Sequence, residues 1–443
     1  MPAGAGTAAF DVGNLNCAVD PARTAATYRW RRAGNWGPAR SSGEAVSESS
    51  SPDRAIPFAR TVISPEARAA ADRVLTSGWV TTGHETELFE QEFAAWVGAG
   101  HAIAVSSCTA AIELSLRALH LPKNTAVLVS TMTFCGAVHA IRHAGLRPVL
   151  VDIDERTGMP TPGTTRRAAG ACGGAGAMLI VHLGGLPADV HSLAEAAGLP
   201  LSAVVEDAAH ALGGWIGNDP VGSVSRATCF SFYATKNLPI GEGGMITTVD
   251  PELAAWVRRG RLHGMSADAW RRYLPGGTWR YTVEQDGIKA NMTDLQSAVG
   301  RAQLRHLGDW QLRRSQLARR YHERLAGVPG LVLPIWPDHG RHAWHLFAVR
   351  ILPEFGISRD ELVECLAERH IGTSLHFIPV HHLPYFQRVV QLPAGGLPMA
   401  DAVFRQLLSL PMDQGLSDDD IDRVCDAVVA ASLSQRTVKV VAS

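Results

Sequence analysis

The chain has 443 residues, a net charge of −1 and seven cysteines, none of which forms a CxxC pair. This length allows a large core in two packed lobes. The balance of charges argues against a nucleic-acid or membrane-surface protein, and the scattered cysteines argue against a disulfide framework. No apolar stretch reaches the ~18 residues of a membrane span and no secretory leader pattern opens the chain, so we expect a cytoplasmic protein.

The N-terminal part differs in composition from the rest of the chain. Residues 1–55 are rich in Gly, Ala, Ser and Arg and show no sustained periodicity, which predicts a disordered extension. We expect residues 56–310 to form a large α/β domain. Residues 311–432 would contain a long connecting helix and a small C-terminal α+β domain, and residues 433–443 would be a tail.

Short apolar runs alternate with helical patterns in the first half of the chain. The runs predict strands at 102–105, 126–131, 148–152, 177–182, 202–206, 228–232 and 245–248. The intervening patterns predict helices at 110–119, 136–144, 190–197 and 251–258. Strands this uniformly apolar indicate a parallel or mixed sheet that is covered on both faces.

The residues most capable of chemistry follow predicted strands. They are found at 106–109, at 133–134, at 182–185, at 207–210 and at Lys236. Ligands of open α/β sheets bind beyond the carboxyl ends of the strands. The sequence therefore predicts one site at one edge of the sheet.

The second half of the chain predicts helices and a few strands. A helical pattern runs from Met292 to about Leu325. Ser358 and Glu361 form a capping-box pattern that opens a helix to about Arg369. Acidic residues after Ser417 predict the start of a final helix, and strands are expected at 344–352 and 375–378.

Lys236 is one of only four lysines in the chain, and its flanks are small, aromatic or turn-forming. An amine in such surroundings can lose its proton and form an imine with an aldehyde. Asp207, at the end of an apolar run, could hold a pyridine nitrogen in its protonated form. Together these residues predict pyridoxal 5'-phosphate (PLP) as the cofactor. A solvated loop lysine is the alternative, because most lysines are exposed.

Other candidate positions allow two interpretations each. The residues around Cys108 and Thr109 begin a helix, which is either an anion site or an ordinary N-cap. Phe134 could stack on a flat cofactor or belong to the core. Asp207 and His210 share a helix face, although a capping Asp beside an incidental His has the same spacing. The histidines at 376, 381 and 382 match no zinc spacing, and we expect no metal.

The order of these motifs is more specific than any one of them. Residues 205–213, 229–238 and 241–248 closely resemble the DegT/StrS family of PLP-dependent sugar aminotransferases. The resemblance extends to 77–83, 106–111, 181–189, 287–296 and 372–381, and covers roughly residues 56–432. It departs at Cys108, where many members have glycine, and at Gly184, where many have a bulkier residue.

The resemblance implies a PLP-dependent transferase of fold type I that forms a homodimer with shared active sites. Lys236 would carry the cofactor as an imine, Asp207 would pair with the pyridine nitrogen and His210 would face the phenolic oxygen. Ser231 and the amides of Cys108 and Thr109 would hold the phosphate. Phe134 would cover the ring, and Asn291 would reach the phosphate of the cofactor bound in the partner subunit. The sugar-nucleotide pocket would be shaped by Trp79, Thr81, Thr82, His376 and His381.

The activity implied by the resemblance is transfer of an amino group from an amino acid, preferably L-glutamate, to a keto-deoxysugar nucleotide. The product would be an aminosugar for a natural product such as an antibiotic or for a surface glycan. Residues 206–210 are more similar to members that act on 4-keto sugars than to those that act on 3-keto sugars. Amination of a ketocyclitol and PLP-dependent dehydration of a sugar remain alternatives, although related dehydratases have His at the lysine position. A non-enzymatic PLP-binding regulator is a further alternative.

Overall fold

The computed structural model describes residues 54–266 and 280–441, with side chains through residue 433. The predicted extension therefore lies outside the described residues, apart from Arg54 and Ala55. No helix in these described ranges is both long enough and apolar enough to cross a membrane.

A mixed seven-stranded sheet forms the centre of the fold. Its strands are β1 (His101–Val105), β2 (Ala126–Ser130), β3 (Arg147–Val151), β4 (Ala177–Val181), β5 (Val204–Asp207), β8 (Ala227–Ser231) and β9 (Gly244–Thr248). Between β5 and β8 in the chain, β6 (Trp215–Ile216) and β7 (Asp219–Pro220) form a separate hairpin. The order across the sheet is β1-β9-β8-β5-β4-β2-β3. Only β9 runs against its neighbours β8 and β1, and the other pairs are parallel. The predicted mixed sheet is confirmed.

Helices cover both faces of this sheet, as the apolar strands predict. Val127 and Val129 of β2 enter one core, whereas Ala126 and Leu128 enter the core on the opposite face. This alternation follows from the two-residue period of a strand. The helices of this half are α1 (Pro65–Ser77), α2 (His84–Val97), α3 (Cys108–Arg117), α4 (Cys135–His143), α5 (Pro162–Ala171), α6 (Val190–Ala197) and α7 (Pro251–Gly260).

The C-terminal half builds a second core around a three-stranded sheet. Its elements are α8 (Asp294–Leu304), α9 (Leu307–Leu325), β10 (Leu331–Val332), β11 (Gly340–Arg341), β12 (Phe347–Ile351), α10 (Arg359–Glu368), α11 (Pro398–Gln406), β13 (Leu407–Leu410) and α12 (Asp418–Val441). The sheet has the order β10-β12-β13, and β11 pairs with β6 instead. The predicted capping box is present, since Ser358 and Glu361 bond each other's backbone N–H groups.

The helix predicted from Met292 to about Leu325 is not continuous. It is divided into α8 and α9 at Arg305 and His306. α8 packs on α1 and α2, whereas α9 packs on α12, so the change of direction lets each helix bury its own apolar face. Neither glycine nor proline occurs at Arg305 or His306, but Gly308 lies in the first turn of α9 and is a residue that weakens a continuous helix.

The strand predicted at 375–378 is wrong. Ser374 alone bridges to Ser409, and the next residues turn towards a cavity. The strand of this region is β13, whose four residues are all buried. The apolar run at 375–378 thus reflects the lining of a cavity rather than a place in a sheet.

The chain near residue 56 belongs to the second core. Ile56 is fully buried among residues of α9, α10 and α12. Its N–H donates to the carbonyl of His370 (2.9 Å), and its own carbonyl accepts from Gly372 (2.8 Å). The main chain of the preceding Arg54 accepts a hydrogen bond from Arg423 (2.8 Å). These contacts join the start of the described chain to the C-terminal half.

Candidate active site

A cavity of about 520 Å³ opens at the carboxyl edge of the large sheet. Cavities of this volume commonly hold small molecules. The turns after β1, β2, β4, β5 and β8 form one side, and segments around Phe58, His345 and Phe377 form the other. The structure brings most of the predicted site residues together here: Cys108, Thr109, Phe134, Asp207, His210, Ser231, Lys236 and His376.

Lys236 lies on a loop that leaves β8 and returns to β9. The base of the loop is closed by a hydrogen bond from Phe232 N to the carbonyl of Gly243 (2.9 Å), and Lys236 N donates to the carbonyl of Tyr233 (2.9 Å). The side chain faces the cavity instead of bulk solvent. Burial lowers the pKa of this amine to about 8, against the opposing effect of Asp207. The amine is therefore far more often neutral at pH 7 than an ordinary lysine.

The loop also requires a glycine where it meets the large sheet. Gly244 begins β9 directly beside the turn after β1. A Cβ at this position would lie 2.5 Å from the carbonyl carbon of Ser107 and 2.7 Å from the amide nitrogen of Cys108. Only glycine allows so close an approach. The lysine loop and the start of α3 are held together in this way.

Asp207 ends β5, and its side chain is buried in the cavity wall. Its Oδ1 accepts a hydrogen bond from Ala209 N (3.1 Å) and contacts the thiol of Cys108 (3.7 Å). Burial raises the pKa of Asp207, and the Ala209 N–H and the charge of Lys236 oppose that rise. Within the described chain, Oδ2 has no hydrogen-bond partner. This oxygen is available to a donor from a ligand in the cavity.

Three imidazoles line the cavity, His210 from the sheet side and His345 and His376 from the opposite side. His210 lies 4.4 Å from His345 and 5.7 Å from Phe377, measured between ring centroids, and His210 Nδ1 accepts from Gly184 N (3.2 Å). Burial lowers the pKa of His376 to about 4 and lowers the pKa values of His210 and His345 well below the usual range. These rings are neutral at pH 7, whereas Lys236, Asp207 and Glu242 contribute ionisable groups to the cavity lining.

The start of α3 provides backbone donors at the far end of the cavity. Ser107 caps the helix by accepting from Ala110 N (3.1 Å) and Ala111 N (3.0 Å). In the part of the chain that the structure describes, the N–H groups of Cys108 and Thr109 have no acceptor. Free first-turn amides beside a helix dipole bind anions. Ser231 lines the same cavity and adds a hydroxyl.

These features fit pyridoxal phosphate. The phosphate matches the free amides and Ser231, a protonated ring nitrogen matches the free oxygen of Asp207, and the aldehyde matches the amine of Lys236. Phe134 offers an aromatic face, because its ring lines the cavity and remains 61% exposed.

A second group of predicted residues lies outside the cavity lining. Asn291 Nδ2 donates to Thr82 Oγ1 (2.6 Å), and Trp79 Nε1 donates to the carbonyl of Thr82 (3.3 Å). The carbonyl of Thr81 accepts from Asp294 N (3.1 Å). These residues pack around the start of α8, beside β1. Their roles at a cofactor or substrate remain predictions.

His381 also lies outside the cavity lining. Its Nδ1 is 2.8 Å from Thr131 Oγ1 and its Nε2 is 2.9 Å from an oxygen of Asp401. His382 contacts the same oxygen (2.6 Å). A role for His381 in the sugar pocket remains a prediction.

Sequence reasoning missed part of the opposite wall. His345 is buried against His210, and its Nδ1 lies 3.1 Å from Oδ1 of Asn237, the residue after the lysine. Phe58 stacks on His376 with ring centroids 5.3 Å apart. Phe377 joins this wall beside His210. These residues are far apart in the chain, and the polar His345 beside an apolar strand was the only available signal.

Comparisons with known proteins agree with this geometry. The model of the DegT/DnrJ/EryC1/StrS aminotransferase family matches residues 62–429. The chain is 43% identical over 375 residues to the spore coat polysaccharide biosynthesis protein SpsC of Bacillus subtilis (strain 168), which covers 84% of this chain and 96% of SpsC.

Two solved structures show the same similarity. S. venezuelae DesV, in complex with a ketimine intermediate, is 37% identical, with a TM-score of 0.74 over 83% of this chain and 94% of DesV. The PLP form of Spr1654 from Streptococcus pneumoniae is 26% identical, with a TM-score of 0.78 over 86% of this chain and 100% of Spr1654. The predicted fold type I is confirmed.

Proposed function

We propose that this chain, which belongs to the DegT/DnrJ/EryC1/StrS aminotransferase family, transfers an amino group from an amino acid to a keto-deoxysugar nucleotide. That the chain is a transaminase follows from its family and its structural neighbours. The finer parts of the proposal are L-glutamate as the donor, a 4-keto sugar as the preferred acceptor, and an aminosugar for a natural product or a surface glycan as the product.

The observation that carries the proposal is the placement of Lys236. Its amine faces the cavity, its pKa is lowered to about 8, and a buried carboxylate lies in the same cavity. An amine that loses its proton readily, in the same cavity as a carboxylate with a free oxygen, is what PLP chemistry requires of a protein. A solvated loop lysine would have neither the lowered pKa nor the cavity.

Some residues of the cavity would bind the cofactor, and Lys236 would also transfer a proton. The amides of Cys108 and Thr109 together with Ser231 would bind the phosphate, and Phe134 would cover the ring. Bound pyridoxal phosphate supplies an electron-withdrawing ring that stabilises negative charge on a substrate carbon. Asp207 would keep the ring nitrogen protonated, which requires its carboxylate to be ionised.

Lys236 has two tasks in this proposal. Its Nζ would hold the cofactor between turnovers. Once the donor's amine has taken its place, the same Nζ would take the proton from the donor's α-carbon. One positioned base of this kind typically contributes about 10²–10⁴-fold to the rate. The neutral imidazole of His210 would orient the cofactor without adding charge.

The choice of acceptor is supported by similarity. Residues 206–210 are more similar to members that act on 4-keto sugars. This chain's relative SpsC is a spore coat polysaccharide biosynthesis protein, which favours a glycan sugar as the acceptor. A dehydratase is disfavoured because a lysine occupies position 236.

We also propose that the active unit is a homodimer with shared sites. Asn291 lies outside the cavity lining of its own chain, so a contact with a cofactor phosphate would have to be made to the cavity of a neighbouring subunit. Phe134 and Tyr233 line the cavity and are 61% and 48% exposed. Aromatic rings exposed to this degree at a cavity mouth are typical of a surface that a partner covers.

The test follows the two halves of the reaction. Enzyme loaded with PLP is mixed with L-glutamate, and 2-oxoglutarate is measured in a single turnover. Matched pairs of 4-keto and 3-keto sugar nucleotides are then added, and amination is followed by mass. Lys236→Ala should be inactive, whereas Lys123→Ala, which changes an exposed lysine in a turn, should behave as wild type.

Each part of the proposal can fail separately. If no 2-oxoglutarate forms, L-glutamate is not the donor, and other amino acids are tested next. Faster amination of the 3-keto sugars would contradict the 4-keto preference. A dehydrated sugar in place of an aminated one would identify a dehydratase.

A further inference from the structure

We propose that His381, His382 and Asp401 form a site for a divalent transition metal such as Zn²⁺, distinct from the PLP site. Each residue offers one ligand atom, and the three atoms lie within 4.8 Å of one another. His381 Nε2 lies 2.9 Å from Asp401 Oδ1, and His382 Nε2 lies 2.6 Å from the same oxygen. The proposal does not depend on the aminotransferase activity.

The elements that carry these residues are held in place independently of one another. The histidines lie on a short turn of 3₁₀ helix, Val380–His382, which is tied to the end of β2 by a hydrogen bond from Val380 N to the carbonyl of Thr131 (2.9 Å). Asp401 lies in the first turn of α11. At the start of that helix, Ala400 N donates to the buried Asp152 (2.9 Å). The three ligand atoms therefore converge from two anchored elements.

The donor set suits zinc and its neighbours in the first transition row. Two imidazole nitrogens and one carboxylate oxygen, with a position left for water, are a common Zn²⁺ arrangement with three protein ligands. The hard cations Mg²⁺ and Ca²⁺ prefer oxygen ligands only. His382 and Asp401 are each a little over one third exposed along their side chains, so an ion and its water can enter from solvent.

Thr131 provides the outer contact that such a site requires. Histidines that bind metals usually donate the N–H of their other ring nitrogen to an oxygen, which fixes the orientation of the ring. His381 Nδ1 lies 2.8 Å from the hydroxyl of Thr131, a fully buried residue. With the proton on Nδ1, the lone pair of Nε2 points at the proposed ion.

The ion would act on the active site through the segment it holds. Residues 374–382 contain His376 and Phe377 in the cavity wall as well as the two ligands. A metal bound to this segment and to α11 would fix that wall relative to the large sheet.

The experiment uses the tag-free full chain loaded with PLP. The protein is equilibrated with Zn²⁺, exchanged into metal-free buffer and analysed for metal content, and its thermal midpoint is measured as a function of Zn²⁺. Wild type should retain about one Zn²⁺ per chain and gain thermal stability, whereas Mg²⁺ should have no effect. His382→Gln and Asp401→Asn should each lose the retained ion and the thermal shift.

Two further variants make the test specific. His191→Gln changes an exposed histidine on α6 and should bind Zn²⁺ as wild type does. Thr131→Val keeps the shape of the side chain but removes the outer contact, and should weaken Zn²⁺ binding about 10–100-fold. The proposal is overturned if wild type retains no Zn²⁺, or if His382→Gln and Asp401→Asn retain as much as wild type. If these variants lose stability but Zn²⁺ affects neither them nor wild type, the three side chains act only through the hydrogen bonds of His381 and His382 to Asp401.

Discussion

The lowered pKa of Lys236 predicts how its reactivity depends on pH. Burial brings the pKa from 10.5 to about 8. At pH 7 the neutral fraction of the amine is then about 9%, compared with about 0.03% for an unperturbed lysine, a difference of about 300-fold. The reactivity of Lys236 in cofactor-free enzyme should rise to a plateau just above pH 9, while an ordinary lysine continues to gain about tenfold per pH unit.

Trace acetylation followed by peptide mapping measures this directly. The protein without PLP is exposed to a small amount of acetic anhydride at pH values from about 6 to 11, and the label on each lysine is quantified by mass. The exposed Lys123 serves as an internal reference in the same molecule. A tenfold rise per pH unit for Lys236 between about pH 8 and pH 10, parallel to that of an ordinary amine, would refute the argument that burial activates it.

A substitution at Asp207 tests the sign of the electrostatic contribution. The charge of Asp207 raises the pKa of Lys236, against the larger effect of burial. Asp207→Asn removes that charge and keeps the shape, so the midpoint for Lys236 should move below its wild-type value. Asp219→Asn, at an exposed position in β7, should leave it unchanged. An upward shift in Asp207→Asn would show that the two groups do not interact as described.

Three further predictions concern catalysis, the chain start and the dimer. Asp207→Asn should retain PLP but lose about 10²-fold or more in the glutamate half-reaction, about 2.7 kcal/mol or more in the barrier, because the ring nitrogen would no longer be held protonated and would withdraw electrons less well; near-normal single-turnover rates would contradict this. A chain beginning at Pro52 should match wild type in activity and thermal midpoint. A chain beginning at Phe58 should unfold at a lower temperature, because it lacks the fully buried Ile56 and such side chains contribute about 2–5 kcal/mol to stability. Equal thermal midpoints for the two chains would show that Ile56 is dispensable. Mixing inactive Asn291→Asp with inactive Lys236→Ala should restore activity to at most half of wild type per heterodimer, because one of the two sites is then native; no recovery after confirmed subunit exchange would contradict shared sites.

The large sheet and its site could be predicted because both depend on local patterns. Apolar runs between helical patterns identified every strand of the seven-stranded sheet, with small differences at the ends. The carboxyl ends of parallel strands lie at the same edge of a sheet, and ligands bind beyond that edge. Lys236, Asp207 and His210 were therefore expected in one cavity. The chain's own sequence carries this information within short windows.

The opposite wall could not be predicted in the same way. His345 and Phe58 reach the cavity through contacts between segments that are far apart in the chain. The stretch around His376 has the apolar composition of a strand, but its pairing with the edge strand β13 stops at Ser374, and His376 and Phe377 line the cavity. Local propensity does not distinguish a strand from an apolar segment that lines a cavity.

The metal hypothesis depends on the same kind of long-range contact. The sequence shows two adjacent histidines without a recognisable partner spacing. Asp401 is 20 residues from His381 in the chain, and only the fold brings it to the Nε2 atoms. A spacing rule that considers neighbouring residues alone cannot detect such a site.

The division of the cavity into two walls has a consequence for substrate choice. The residues proposed to hold the cofactor come from the turns of the large sheet and from the lysine loop, which Gly244 locks against α3. The facing residues, including His376 and Phe377, lie on a segment fixed at one end by Ser409 and at the other by Thr131. Changes in that segment can alter the space for the acceptor without moving Lys236 or Asp207. Substitutions at Phe377 should therefore change KM for the sugar nucleotide while leaving the glutamate half-reaction nearly intact, and an equal loss in both halves would show that the two walls act as one unit.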